Sequence, residues 1–397
     1  MMRGTTASGG ILEIFLVFLR LGLTSFGGPI AHLGYFREEF VTRRRWLDEH
    51  AYGDLVALCQ FLPGPASSQV GMAVGLSRGG LAGALAAFLG FTLPSAIALT
   101  LFALGVSHFG QLPGSGWLHG LKVVAVAVVA QALWGMGKSL TPDRQRATIA
   151  IAAAVIVTFI PSALGQIGVI ATSGVIGWRF LRSDTELPHS TLPIPVTRRI
   201  GAIFLCVFFL LLLVLPMAAS TGNYVAQLFD SFYRTGALVF GGGHVVLPLL
   251  QSQVVPAGWV ANDAFLAGYG AAQAVPGPLF TFAAYLGAIS SQSPSGWAGA
   301  ALALTAIFLP AFLLVVGALP YWEGLRRHAG IKQAMLGINA AVVGLLLAAF
   351  YQPVWTSAIQ NAFDFCLAVT AFLLLAFWKW PPWLVVVLTA AMAGVGL

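Results

Sequence analysis

The chain has 397 residues, of which 58% are hydrophobic and only 8% are charged. Because soluble proteins carry about 25% charged residues, this composition excludes an ordinary soluble protein and predicts an all-α integral membrane protein. The formal net charge of +7 is typical of basic loops on the cytoplasmic side of a membrane. The apolar composition excludes nucleic acid as a partner, so the lipid bilayer is the predicted surrounding.

Motifs for cofactors and for common enzymes are absent from the sequence. The three cysteines, Cys59, Cys206 and Cys366, are scattered through apolar segments without the spacing of metal ligands. We find no phosphate-binding Walker loop, zinc-protease motif or nucleophile elbow. The sequence therefore predicts no metal, no cofactor and no ATP-driven pump, and it favours a transporter over an enzyme.

A helix that crosses a bilayer needs about 20 apolar residues. Apolar segments are predicted, in chain order, near 11–30, 52–76, 79–107, 117–138, 147–161, 164–181, 199–218, 224–248, 263–289, 296–320, 333–351, 362–378 and 381–397. Several are too short or too interrupted for simple crossings, and one or two crossings are compatible with residues 147–223.

The most informative pattern is a pair of helix-breaking motifs that occurs twice. The first half contains Phe26-Gly27-Gly28-Pro29 and then Pro63-Gly64-Pro65; the second contains Phe240-Gly241-Gly242-Gly243 and then Pro276-Gly277-Pro278. Proline inside a helix removes a hydrogen-bond donor and clashes with the preceding turn. Each PGP motif thus predicts an unwound helix or a re-entrant helical hairpin, and matching breaks in two halves point to a transporter binding site.

The repeated motifs predict two homologous halves in opposite orientation. We place the first repeat at residues 1–182, a polar linker at 183–199 and the second repeat at 200–397. The loops around 37–45 and 138–146 are basic, whereas their equivalents around 251–262 and 351–361 have no lysine or arginine. Conversely, the loop 108–116 has no lysine or arginine, whereas its equivalent 323–332 contains Arg326, Arg327 and Lys332. Because positive loops mark the cytoplasmic side, this exchange of charge predicts an inverted repeat.

Candidate substrate contacts flank these breaks. The helix after Pro65 is predicted to start at Ala66, with Ser67 and Ser68 in its first turn. The helix after Pro278 has Thr281 in its first turn. Helix starts offer free N–H groups and a positive dipole end, which suit a tetrahedral anion. The alternative is that PGP only kinks a packed helix.

Further candidates have a structural alternative as well. Gly27, Gly28, Gly241 and Gly242 would let backbone approach a ligand or let helices pack closely. His32 and His244 would be hydrogen-bonded structural residues or proton sensors, and Gln60 and Gln273 would satisfy freed backbone or reach the ligand. Lys122 lies in an apolar helix, where it is functional or extends to the interface. These candidates are, in full, Gly27, Gly28, His32, Gln60, Pro63, Gly64, Pro65, Ser67, Ser68, Lys122, Gly241, Gly242, His244, Gln273, Pro276, Gly277, Pro278 and Thr281.

The motifs around Phe26, Trp46, Gln60 with its PGP, His244 and Gln273 with its PGP resemble those of the chromate ion transporter (CHR) family. The resemblance covers nearly the whole chain. It implies a multi-pass protein of the cell inner (plasma) membrane, built from two antiparallel homologous halves, that exports chromate.

Other functions stay open at this point. Sulfate or another oxyanion would suit the same chemistry, with or without proton coupling, and so would a passive anion channel. A membrane-embedded enzyme would need clustered acids, but Glu13, Asp54, Asp230, Asp263 and Asp364 are dispersed. Neither the coupling ion nor the oligomeric state follows from the sequence, which leaves a homodimer open.

Overall fold

A computed structural model of the protein describes residues 10–26, 28–109, 116–160, 162–182, 196–240, 243–325 and 328–396, and these contain no β-strand. The α-helices are α1 (Ile11–Thr24), α2 (Gly28–Arg37), α3 (Glu49–Phe61), α4 (Ala66–Phe109), α5 (Gly116–Leu140), α6 (Arg144–Phe159), α7 (Ala163–Phe180), α8 (Arg198–Ala219), α9 (Tyr224–Leu238), α10 (Val246–Val254), α11 (Asn262–Ala272), α12 (Phe282–Ile289), α13 (Gly296–Ala318), α14 (Trp322–Leu325), α15 (Ala329–Ala349), α16 (Thr356–Ala358), α17 (Ala362–Ala376) and α18 (Pro382–Gly396). Short 3₁₀ segments cover Gly243–Val245, Leu279–Thr281 and Leu319–Tyr321, and π-helical segments cover Glu38–Arg43 and Phe350–Trp355.

Five helical segments within the described residues are long and apolar enough to cross a membrane. They are Ala66–Ser107, Gly116–Leu140, Arg198–Ala219, Gly296–Tyr321 and Ala329–Ala358. Their length and composition are those of a multi-pass membrane protein, as the composition predicts. The remaining apolar segments form shorter helices, so the protein combines full-length helices with partial ones.

The helices stop where glycine and proline require it. α3 ends at Phe61 and α4 begins at Ala66, so the chain leaves helical geometry across the first PGP motif. The second motif is likewise non-helical, between α11 and the 3₁₀ turn that begins at Leu279. A further break lies inside α4, where Gly80 has a φ of +60° that glycine adopts at little cost.

Two long helices are exchanged between the halves of the chain. α5, from the first half, packs against α17 and α18 from the second half, and α15 packs against α6 and α7 from the first half. Small residues make these contacts close: a Cβ on Gly120 would lie 2.8 Å from the carbonyl oxygen of Thr389 in α18. In lipid, such close backbone approach supplies much of the attraction between helices, so the halves hold each other together.

A buried carboxylate ties the first helices to each other. Glu39 is 4% exposed and forms an ion pair with Arg20 of α1, while Nε of Arg44 donates a hydrogen bond to it at 2.6 Å. Burial favours the neutral form of this acid, but the hydrogen bond from Arg44 and the charge of Arg20 hold the pKa of Glu39 below its ordinary value. The stabilisation from ionised Glu39 is therefore fully present above the ordinary glutamate pKa and is lost only in more acidic solution.

The exchange of helices predicts which glycines tolerate a methyl group. A Cβ on Gly337 of α15 would overlap the carbonyl oxygen of Ser173 in α7, whereas a Cβ on Gly168 of α7 would meet no atom within 4 Å. We expect Gly337→Ala to lower the free energy of unfolding by about 1–3 kcal/mol, because α7 and α15 must separate. Gly168→Ala, the control, should leave it unchanged or raise it by up to about 1 kcal/mol. Thermal unfolding in detergent measures both, and equal stability would contradict the proposed close contact.

Candidate functional site

The two kinds of motif meet across the halves of the chain through backbone hydrogen bonds. The N–H of Gly277, in the second PGP motif, donates to the carbonyl of Ser25 at 2.9 Å, just before the first FGG motif. The N–H of Gly64, in the first PGP motif, donates to the carbonyl of Val239 at 2.7 Å, just before the second FGG motif. Each broken helix therefore satisfies its freed backbone on the other half.

The glycine of each PGP motif also packs against the helix that carries the other half's matching proline. A Cβ on Gly277 would lie 2.8 Å from Oγ of Ser95, the residue after Pro94. A Cβ on Gly64 would lie 3.2 Å from Cβ of Ala311, the residue after Pro310. With φ values of +105° and +121°, both positions require glycine for its conformation as well as for its size.

A small cavity lies beside the crossing of the first FGG motif and the second PGP motif. Its volume is about 60 Å³. One water needs roughly 10–15 Å³ of such space, so the cavity has room for a few waters or one small tetrahedral anion. Its lining consists of Gly28, Val128, Gln131, His244, Ala272, Gln273, Val275, Gly277, Leu279 and Pro382.

The polar groups of this cavity are neutral amides and one histidine. Nδ1 of His244 lies 2.8 Å from the hydroxyl of Tyr269, and Nε2 of Gln131 donates to the carbonyl of Leu375 at 3.2 Å. The buried Nε2 of Gln273 has no hydrogen-bond partner among the described residues. An unpaired amide donor beside a cavity is suited to an acceptor on a ligand or on water.

Four of the predicted contacts, Gly28, His244, Gln273 and Gly277, are thus brought together at one cavity. His32 and Ser67 form a separate contact nearby, with Nδ1 of His32 at 3.3 Å from Oγ of Ser67. Ser68 is buried and its hydroxyl has no partner in the described part of the chain.

Other predicted residues are placed away from the cavity. Gln60 is exposed, and the hydroxyl of Thr281 donates to the carbonyl of Pro278 at 2.7 Å. Lys122 borders a different cavity, of about 410 Å³, and its Nζ lies 3.2 Å from Oδ1 of Asp263. Pro63, Pro65 and Pro276 do not line the small cavity either. Gly27, Gly241 and Gly242 lie outside the described residues.

Sequence reasoning missed the other six lining residues, among them Gln131 of α5 and Pro382 of α18. A signal for Gln131 existed, since it is the one amide side chain in α5 and follows an apolar run that begins at Val123. Pro382 offered none, because its place beside the cavity depends on the packing of α18 against α5.

A family model described as chromate transporter matches the chain twice, over residues 12–178 and 226–395. The chain belongs to the chromate transporter family. The resemblance inferred from the FGG and PGP motifs is therefore confirmed. Each matched segment contains one FGG motif and one PGP motif, and helix α8 lies between the two segments.

Several curated proteins are similar to this family member. A chromate transport protein of Pseudomonas aeruginosa is 27% identical over 341 residues, which are 84% of this chain and 79% of that protein. A chromate transport protein of Cupriavidus metallidurans is 25% identical over 395 residues, with 94% and 92% covered. An uncharacterized transporter of Bacillus subtilis is 30% identical over 127 residues, or 32% of this chain and 71% of that protein. No solved structure matches the chain.

The crossing of the motifs predicts an unequal response of two glycines with positive φ. Gly277→Ala places a methyl group against Ser95, whereas Gly258→Ala, at a φ of +70°, meets no atom within 4 Å. Both variants strain the backbone, but we expect Gly277→Ala to lose about 1–3 kcal/mol more stability because of the added overlap. Adding Ser95→Ala to Gly277→Ala should recover part of the loss. Denaturation in detergent of the parent, Gly277→Ala, Ser95→Ala and the double variant measures the coupling, and additive effects would count against the contact.

Proposed function

We propose that this chain is a secondary transporter that exports chromate through the small cavity at the crossing of the FGG and PGP motifs. The observation that supports the proposal is the joint lining of this cavity by Gly28 of the first FGG motif and Gly277 of the second PGP motif, with the N–H of Gly277 bonded to the carbonyl of Ser25. Membership of the chromate transporter family supports the substrate, as do the names of the relatives from Pseudomonas and Cupriavidus. A carrier rather than an enzyme is proposed.

The chemistry of the cavity fits a tetrahedral dianion. Chromate presents acceptor oxygens, and the unpaired Nε2 of Gln273 is a donor. None of the described residues that line the cavity carries a fixed charge. We expect neutral donors alone to give a moderate affinity for chromate. This suits transport, because a transport site must bind its ion weakly enough to release it.

We further propose that the two halves are inverted and that each PGP segment enters and leaves by one face. The exchange of basic loops between the halves supports this orientation, as does the reciprocity of the two backbone bonds. Helix α8, between the two matched segments, supplies an additional crossing that allows the second copy to start on the opposite side.

The membrane potential can drive export without a dedicated coupling ion. Each charge that moves across 100 mV is worth about 2.3 kcal/mol, so a dianion leaving a cell that is negative inside gains about 4.6 kcal/mol. Lys122 lies outside the small cavity, and we propose that it attracts the anion toward the larger cavity that it borders. Its partner Asp263 is largely exposed, at 72% of the side chain, so the pair can open to water.

The first test is chromate flux in everted membrane vesicles, in which export appears as uptake. We expect saturable chromate uptake that requires an interior-positive potential and is reduced by excess sulfate, a similar dianion. Vesicles with equal amounts of Gly277→Ala protein serve as the control and should take up less. Uptake at the level of empty vesicles, with the protein confirmed in the membrane, would reject the proposed function.

The second test addresses orientation. Gln145, in the first turn of α6 within the basic segment 138–146, and Gln360, in the matching segment of the second half, are both exposed. After replacement of Cys59, Cys206 and Cys366, an impermeant thiol reagent should label Gln145→Cys only from the cytoplasmic side and Gln360→Cys only from the outside. Labelling of both from one side would mean that the halves are parallel.

A further inference from the structure

A group of buried polar side chains adjoins the small cavity on the first-half side. We call it the hydroxyl cluster and define it as Ser25, His32, Ser67, Thr92 and Ser95. All five residues are at most 2% exposed. The hydroxyls of Ser25, Thr92 and Ser95 have no role in the proposed function.

Contacts between these residues and their neighbours connect the cluster. His32 approaches Ser67, at 3.3 Å between Nδ1 and Oγ, and its ring packs edge-on against Phe91 with centroids 5.3 Å apart. Thr92 follows Phe91 in α4, and Oγ of Ser95 donates to the carbonyl of Thr92 at 3.1 Å. The ring of His32 therefore packs against the turn of α4 that carries Thr92 and Ser95.

Gly277 connects this cluster to the cavity. It lines the cavity, its N–H donates to the carbonyl of Ser25 at 2.9 Å, and its α-carbon faces Ser95 so closely that a Cβ would lie 2.8 Å from Oγ. Gly28, three residues after Ser25, lines the cavity as well. The second PGP motif is thus in contact with the cavity and with the cluster.

Three atoms of the cluster have no hydrogen-bond partner among the described residues: Oγ of Ser25, Nε2 of His32 and Oγ1 of Thr92. A buried threonine in a helix normally bonds back to the preceding turn, as Thr100 does in the same helix, where Oγ1 donates to the carbonyl of Ala96 at 2.7 Å. When Ser67 donates to Nδ1 of His32, the proton of the neutral ring is on Nε2. All three unpaired atoms are then available as donors, and a buried polar group without a partner calls for a ligand or water.

In the second half, the positions equivalent to the hydroxyl cluster are occupied by apolar residues. In the register set by the FGG, PGP and helix prolines, the five cluster positions match residues that are all at most 2% exposed: Val239, Val246, Phe280, Phe308 and Ala311. The rings of Phe280 and Phe308 pack together with centroids 5.8 Å apart. Where the first half has hydroxyls and an imidazole, the second half has closely packed apolar side chains.

We propose that the hydroxyl cluster is the oxyanion-binding subsite of this transporter and that its apolar counterpart is a permanently closed plug. The protein then has one anion subsite, on the first-half side, despite its repeated sequence. The proposal rests on the proposed function for the class of ligand. Oxygens of a tetrahedral dianion accept hydrogen bonds only, which matches a cluster whose unpaired atoms are donors.

Thr92 offers the sharpest test, because α4 also contains its control. Thr92 and Thr100 are each 1% exposed, but only Thr92 has an unpaired hydroxyl. Thr92→Val removes that hydroxyl at constant shape, Thr92→Ser keeps it, and Thr100→Val removes a hydroxyl that is already bonded to its helix. The measurement is the rise in unfolding temperature of the purified, full-length protein against the concentration of chromate and, separately, of sulfate.

We expect Thr92→Val to need roughly tenfold more anion for the same rise, which is the loss of one hydrogen bond to a charged group. Thr92→Ser should recover most of the affinity, and Thr100→Val should stay within about twofold of the parent. Parental binding by Thr92→Val would overturn the proposal while leaving chromate transport untouched. A parent protein that no tetrahedral anion stabilises would also overturn it. Stabilisation by sulfate without any chromate flux would reject the proposed substrate but not the subsite.

Discussion

The architecture depends on how two broken helices recover partners for their backbone. A PGP motif leaves N–H and carbonyl groups without the bonds of a helix, and lipid offers none. Here the glycine of each motif donates its N–H to the residue just before the FGG motif of the opposite half, at Ser25 and at Val239. Neither half can complete this arrangement alone, so the breaks require the two halves to stay together.

The exchange of α5 and α15 extends the same mutual dependence through the protein. α5 reaches across to α17 and α18, and in doing so brings Gln131 beside His244 and Gln273 at the small cavity. Close packing through glycine at Gly120 and Gly337 sets how near these helices come. A cavity of about 60 Å³ whose described lining carries no fixed charge is the outcome.

Duplication and asymmetry have different physical origins in this chain. The motifs that break helices are shared by both halves because backbone geometry demands glycine and proline at those positions. The side chains around them are free to differ. Around the first-half positions they are hydroxyls and His32, whereas Phe280 and Phe308 occupy the second-half positions. The backbone breaks are repeated but the side chains around them differ, so the described residues contain one such polar cluster, in the first half. A strict repeat would contain two.

The sequence by itself determined the membrane class, the family, the two PGP breaks and the start of α4 at Ala66, because local composition and proline geometry act without distant contacts. It predicted Gly28, His244, Gln273 and Gly277 as site residues, but not that they meet at one cavity. Only the tertiary structure decided that the PGP motif of one half bonds to the FGG motif of the other, that Gln60 is exposed, and that Lys122 pairs with Asp263. The reason is that these outcomes depend on contacts between parts of the chain that are distant in sequence. Which segments meet is decided by how small residues let helices pack, and no local sequence pattern encodes that pairing.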